Sequence, residues 1–373
     1  MLVAIDASRL EPINKTGVEY YSQRLLNSLT QVIPDDVRVI LYSRQDVKGE
    51  LTSWPKNWEN KVLKWPLKYL WSQLRLPLAV FFDKPDVTFI PSHLVPFLLT
   101  GKVVVTIHDI SWRLAKDSYS LLSYWYLKLM TWWSVFRAVA IITISNYSKS
   151  QIATYYKKAK NKIFTIYLAA ALKGESSVVE GIRAPYFLYI GRIEKKKNLL
   201  TLIRAFKKID NSSLSLIMVG KNGVGASEIL KEAADDSRVK LLGWLDESKT
   251  IYLLKNATAL VFPANYEGFG IPVLEAWSAG VPVISAAAAA LPEIVAQGGL
   301  LVSEYDIEGF TNAMNTLLTN DNLRKRLIEN GRQRLQDFNW DKTAQETWRV
   351  LSLVSTEATV STQTKVNNFD QYE

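Results

Sequence analysis

The chain contains no cysteine, which excludes disulfides and thiolate metal sites and suits a reducing compartment. Histidine is almost as scarce: only His93 and His108 occur, so each can be weighed singly. No uninterrupted apolar run reaches the roughly 20 residues of a membrane span. The opening MLVAIDASRL has no basic leader and too few apolar residues before Asp6 for a signal peptide, so the expected location is the cytoplasm. No short-period repeat is visible. Nothing in the chain supplies the module or stacking platform that nucleic-acid binding requires.

What is present reads as a soluble globular protein, 48% hydrophobic and 22% charged. At 373 residues the chain exceeds what one hydrophobic core usually holds, so two domains are expected. The net charge of +9 is unevenly spread: residues 1–185 hold 24 Lys and Arg against 14 Asp and Glu, whereas 186–373 hold 21 against 22. Eight of the 12 tryptophans also fall in the first half. Basic charge with Trp and Tyr suits the headgroup region of an anionic membrane, so peripheral attachment to the inner face of the membrane is expected through this half. Lys61, Lys64 and Lys68 alternate there with Trp65 and Trp71, and apolar residues at 67, 70, 71 and 74 predict an amphipathic helix within 60–82. The plainer account packs these tryptophans in a core or lines a cleft with them.

Strands are predicted at 2–7, 37–43, 86–91, 102–107 and 140–144, and again at 186–191, 214–220, 239–243, 259–263 and 281–285, with helices between. Ser145 reads as an N-cap. Such alternation predicts an α/β fold of parallel, doubly wound sheets, whose ligands bind at the carboxyl ends of the strands. The expected domains are 1–170 and 186–338, joined by an aperiodic linker at 171–185. A helix at 339–355 is expected to cross back to the first domain, and the polar tail 356–373 to be disordered.

The most informative stretch is Tyr266–Glu275, YEGFGIPVLE. It follows the apolar run at 259–263 and precedes a periodic segment, so it reads as strand, loop and helix, with Pro272 in the first helical turn. The amides of Gly268, Phe269 and Gly270 then point out of a helix N-terminus, where donors and dipole favour an anion such as phosphate. Glu267 stands in the loop and Glu275 about two turns into the helix, so the carboxylates bracket one elongated ligand. An ionised carboxylate accepts both hydroxyls of a ribose or hexose diol. The plainer account makes Glu267 a cap and Glu275 a solvated helix residue. A second stretch, YFLYIGRIEKKKN, is a strand, a glycine and a cation cluster from Arg192 to Lys197. Lys195 and Lys196 read as solvated charge, whereas Arg192 and Lys197 flank a strand-to-helix turn.

The stretch from Glu267 to Glu275 resembles the Glu-x7-Glu motif of retaining glycosyltransferases of the GT-B fold, most closely glycosyltransferase family 4. The resemblance spans about residues 1–350 and implies two Rossmann-like domains facing a central cleft. Arg192–Asn198 resembles the family's GR-x(4)-KN motif, in which Arg and Lys bind the nucleotide diphosphate; Asn198 is then mainly the helix N-cap. The segment opening at Thr16-Gly17 resembles the TGxxxY loop, where the backbone approaches the donor diphosphate. Gly17 is otherwise an ordinary turn glycine. His108-Asp109 resembles the His-Asp pair that faces the donor sugar, and the plainer account is a buried histidine satisfied by a backbone carbonyl. His93 is unassigned. One departure is the run Ala286–Ala290, where the family shows polar or glycine residues; side-chain hydrogen bonding from this loop is impossible, and backbone contacts remain.

Breaking a sugar-phosphate bond leaves a nucleoside diphosphate whose charge must be stabilised by a divalent metal or by fixed cations and amides. No Asp-x-Asp triplet occurs and the cation motifs do, so a metal-free, cofactor-free scheme is expected. The expected activity is retaining transfer of a hexosyl group, mannosyl or glucosyl in type, from a nucleotide sugar to a hydroxyl of a glycan or lipid-linked acceptor. Alternatives are a nucleotide-sugar epimerase, a glycan phosphorylase, or a catalytically silent nucleotide-sugar-binding protein, for which the alanine loop is the best support.

Overall fold

A computed structural model describes residues 1–10, 17–47, 54–66, 70–92, 94–114, 119–170, 172 and 174–356. The loop before Gly17, Lys68, His93 and the tail from 357 lie outside the described residues, as do the expectations made for them. The chain divides into two compact units. The first holds Met1–Arg113, Leu121–Leu168 and the segment from Trp340 on, and the second holds Leu114–Ser120 and Ala169–Asn339.

The first unit runs β1 (Leu2–Asp6), α1 (Gly17–Leu29), β2 (Arg38–Ser43), β3 (Trp58–Val62), a π-helical turn at Trp71–Arg75 leading into α2 (Leu76–Asp83), β4 (Val87–Ile90), β5 (Val103–Thr106), the single turn α3 (Ser111–Leu114), α4 (Leu121–Arg137), β6 (Ala140–Thr143), α5 (Asn146–Tyr155) and β7 (Ile163–Thr165). Its seven strands are ordered β3-β2-β1-β4-β5-β6-β7, and every pairing is parallel. Inner strands such as VVVT and AIIT are buried along their whole length, because crossover helices cover both faces of a parallel sheet. Ser145 caps α5 by accepting from the Ser148 amide.

A C-terminal helix, Trp340–Thr356, completes this unit by packing on α1 and β4. Lys102 Nζ donates to the carbonyls of Val354 and Ser355 at 3.0 Å, a cation on the negative end of the helix dipole. Thr343 Oγ1 donates to the Tyr167 carbonyl at 2.8 Å.

A helix does form within 60–82, from Trp71 through α2, whereas residues 58–62 form strand β3. Lys61 lies on that strand and pairs with Asp83 at 2.7 Å. Trp71 is buried and donates from Nε1 to the Leu63 carbonyl, so it is core. Trp58 and Trp112 are buried too.

The second unit runs β8 (Tyr186–Ile190), α6 (Leu199–Lys207), β9 (Ser215–Val219), α7 (Ala226–Ala234), β10 (Val239–Gly243), α8 (Glu247–Asn256), β11 (Ala259–Phe262), α9 (Ile271–Ser278), β12 (Val283–Ala286), α10 (Leu291–Val295), β13 (Gly299–Val302), α11 (Ile307–Thr319) and α12 (Asp321–Leu335). The sheet is parallel in the order β10-β9-β8-β11-β12-β13. Strand order therefore reverses between β8 and β11, which makes their carboxyl ends a topological switch point. Trp277 on α9 is buried, donates to the Gly298 carbonyl at 2.9 Å and lies against Gly331 of α12.

Beside the switch point, the carboxyl ends of β8 and β9 approach one another through glycine. Gly191 and Gly220 have φ of +150° and +152°, and a Cβ built on Gly220 would stand 1.9 Å from the Gly191 carbonyl oxygen. Backbone cannot yield to that contact as a flexible side chain could. We expect Gly220→Ala to cost roughly 3 kcal/mol or more from backbone strain and overlap, read as a large fall in the melting temperature or loss of soluble protein. An unchanged melting temperature would remove this account of the strand ends.

Candidate active site

The second unit gathers most of the residues singled out in the sequence around its switch point. Arg192 and Lys197 lie in the connection after β8, and Glu267 to Gly270 in the connection after β11. Two links join these connections: Lys197 Nζ to Glu267 Oε1 at 2.6 Å, and the Asn265 amide to the Lys196 carbonyl at 3.1 Å. Lys197 is buried, with its ammonium 5.7 Å from the centre of the Phe262 ring. An ammonium so enclosed needs a counterion, and Glu267 supplies it. The carbonyl of Glu267 in turn accepts from the Ala290 amide at 3.2 Å. The alanine loop thus serves the site through its backbone, with Ala286, Ala288 and Ala290 buried beneath it.

Arg192 is mostly exposed, and its Nε lies 3.5 Å from Glu194. Sequence reasoning passed over Glu194, which is buried and also faces Lys196 at 3.5 Å. A Cβ on Gly223 would press within 2.8 Å of its carboxylate. The glycine in that loop was the available signal.

Gly268, Phe269 and Gly270 are buried in the turn that opens α9. Gly270 occupies the N-cap with φ +110°, and Pro272 falls in the first turn. Its missing N–H costs nothing there. The Phe269 ring meets Phe338 edge-on at 5.6 Å, so its side chain belongs to the core and only its backbone can serve a ligand.

Two readings of Glu275 are corrected. The helix begins at Ile271, so Glu275 lies just over one turn into it rather than two. Glu275 is also not a solvated residue: burial, with a smaller contribution from Glu247, pushes its carboxyl up to about 7. Asn198 occupies the N-cap of α6 with φ 55°, but its side chain makes no cap hydrogen bond. Its Oδ1 accepts from Thr201 Oγ1 at 2.7 Å, and its Nδ2 donates to the Glu304 carbonyl.

Gly17 and His108 belong to the first unit. Gly17 is the first residue of α1, and a Cβ there would meet only open space. His108 follows β5, buried edge-on against Tyr21 at 4.7 Å, with Nε2 3.4 Å from the Pro91 carbonyl oxygen. Tyr21 Oη is 3.0 Å from Thr106 Oγ1. Asp109 Oδ1 accepts from the Ser111 amide at 2.8 Å, fixing the turn after His108.

Comparison with known proteins adds to this geometry. Residues 175–334 match the model for "Glycosyl transferases group 1", and residues 15–172 match "Glycosyltransferase Family 4". The chain is similar to O-antigen chain mannosyltransferase B of Escherichia coli, 26% identical over 71% of this chain and 73% of that protein. Among solved structures it is similar to sucrose-phosphate synthase from Thermosynechococcus elongatus, with TM-score 0.75 and 20% identity over 95% of this chain and 98% of that one. It is also similar to Anabaena HepE in complex with UDP-glucose, with TM-score 0.69 and 18% identity over 94% and 99%.

The raised carboxyl of Glu275 sets a pH dependence. Unfolded, it titrates near 4.5; between there and about 7 the folded protein holds a proton that the unfolded chain has lost, so stability falls as pH rises. The loss reaches about 3 kcal/mol and is complete above the folded value. Glu275→Gln, which stays neutral, should gain stability relative to the parent across this window, tracked by melting temperature at successive pH. Parallel profiles for the two proteins would overturn the assignment.

Proposed function

Because the chain belongs to the group 1 glycosyltransferases of family 4, we propose that it transfers a hexosyl group from a nucleotide sugar to a hydroxyl of a glycan or lipid-linked acceptor. The chain has the GT-B fold and is a glycosyltransferase. Transfer proceeds with retention and without a divalent metal. The mannosyl or glucosyl character of the donor draws support from the O-antigen mannosyltransferase and the UDP-glucose complex among its relatives. The basic, aromatic first half supports work at an anionic membrane surface on the inner face of the membrane.

One observation carries this reading: the Lys197–Glu267 pair joins two motif-bearing loops across the switch point, where α/β sheets bind their ligands. As the sugar-phosphate bond breaks, negative charge grows on the leaving diphosphate. Arg192, Lys197 and the amides of Gly268, Phe269 and Gly270 are the groups that would take it up. Lys197 shares its ammonium between Glu267 and the phosphate, which leaves Glu267 Oε2 for a hydroxyl of the donor sugar. Glu275 holds the ribose diol.

Arg192→Ala and Lys197→Ala should each lower kcat/KM by about 10²- to 10³-fold, the usual effect of removing one donor to developing charge. Turnover of the parent should persist in EDTA. Wild-type turnover in both variants, or strict dependence on added Mg²⁺ or Mn²⁺, would count against the scheme. The donor can be identified by which nucleotide sugar raises the melting temperature. Glu275→Ala should weaken nucleoside diphosphate binding about 10- to 150-fold by calorimetry; unchanged affinity would remove its ribose role.

A further inference from the structure

Helix α4 turns most of its large apolar side chains outward. Its inward face carries Met130, Thr131, Ser134 and Val135, all buried, with Ser134 Oγ donating to the Met130 carbonyl at 2.7 Å and accepting from the Val95 amide at 2.8 Å. Its outward face carries Leu121, Leu122, Trp125, Leu129, Trp132 and Phe136, spaced at three and four residues along one stripe. Leu122 is 84% exposed, Trp125 59% and Phe136 66%. A helix whose outer face met only water would carry polar residues where this stripe lies. The patch extends beyond the helix: Trp132 stacks on Phe136 at 6.0 Å, Phe136 leans on Trp133, and Trp133 meets Phe97 at 5.3 Å. A contiguous apolar patch of this kind marks an interaction surface.

The chemistry around the stripe identifies its partner. Helix α4 has no acidic residue, and residues 1–185 carry the protein's whole excess of positive charge. Lys128 lies over the Trp125 ring with Nζ 4.4 Å from its centre. Tryptophan, tyrosine and lysine beside leucine and phenylalanine are the side chains suited to a bilayer interface, where an aromatic body is apolar and its tip wet. Among the described residues no helix is long and apolar enough to cross a membrane. At 17 residues, with one face packed on its own unit, α4 is suited to lie in the plane of the interface.

We propose that α4 docks the first unit on an anionic bilayer, its Leu/Trp/Phe stripe at the acyl boundary and Lys128, with the net positive charge of this half of the chain, on the headgroups. This rests on the reading of a membrane-side acceptor given above, and it adds insertion of apolar side chains to an attraction that charge alone could provide.

The test is co-sedimentation with phosphatidylcholine vesicles, with and without phosphatidylglycerol, at low and high salt. The triple variant Leu122→Ser, Trp125→Ser, Leu129→Ser alters only exposed positions and should keep the parent's melting temperature and its thermal shifts with UDP and GDP. The parent should sediment with the anionic vesicles, brominated acyl chains should quench its tryptophan fluorescence, and the triple variant should bind at least about tenfold more weakly. Equal binding of parent and variant would overturn the docking role of α4 while leaving electrostatic attachment standing. Failure of the parent to bind either vesicle would overturn both. If sedimentation velocity finds a dimer of the parent and a monomer of the variant, the stripe's partner is a second copy and the proposal is wrong. The nucleotide shifts judge the transferase reading separately.

Discussion

An ammonium held in a protein interior must be matched by an anion, and in the second unit that requirement falls on Lys197 and is met by Glu267. The partners are 70 residues apart in sequence, in loops that leave neighbouring strands on either side of the point where strand order reverses. Their pairing fixes the loop after β11 relative to the turn after β8, and with it the opening of α9. The amides of that turn, the N-terminus of α9 and the exposed Arg192 then come to one edge of one sheet. Removing either member would leave a partly buried charge without a partner, which costs more than the pair itself contributes.

Around this pair the backbone does the fine positioning. Gly191 and Gly220 allow two strand ends to pass at a distance no side chain permits, and the alanine loop reaches Glu267 through an amide. What looked in the sequence like the loss of polar side chains from Ala286–Ala290 is a packed support for the acidic loop. Ala289 adopts φ 52° there, a conformation disfavoured for any residue with a Cβ, so the turn is held by its surroundings rather than by local preference.

The parts of the fold that were legible were those whose residues face the same environment on both sides. Inner strands such as β5, β6, β11 and β12 are buried throughout and show as runs dominated by apolar residues. Three strands were missed: β3, β7 and β13, all at sheet edges. There half the side chains meet water, the runs are short, and WENKV or a glycine-led GLLV carries no continuous signal. Among the candidate site residues, the placement of Arg192, Lys197, Glu267 and the glycine turn after their strands was readable because a strand followed by a turn sets it. Glu194 was not, since its burial depends on Gly223 from another loop. The surroundings of Glu275 were not either, because they include the charge of Glu247 on α8.

The C-terminal helix gives the first unit a history in time. Its α1 and β4 surfaces are covered by residues 340–356, which leave the ribosome after the entire second unit has been made. Through that interval the nascent first unit carries an uncovered face, including the side on which Tyr20 and Tyr21 later meet Trp340. Domains generally fold in order of synthesis, and here that order is broken: the unit begun first is finished last. A chain interrupted anywhere between residues 169 and 339 would therefore release an incomplete first unit with apolar surface open to solvent, and quality control by chaperones and proteases has a long window in which to act on it.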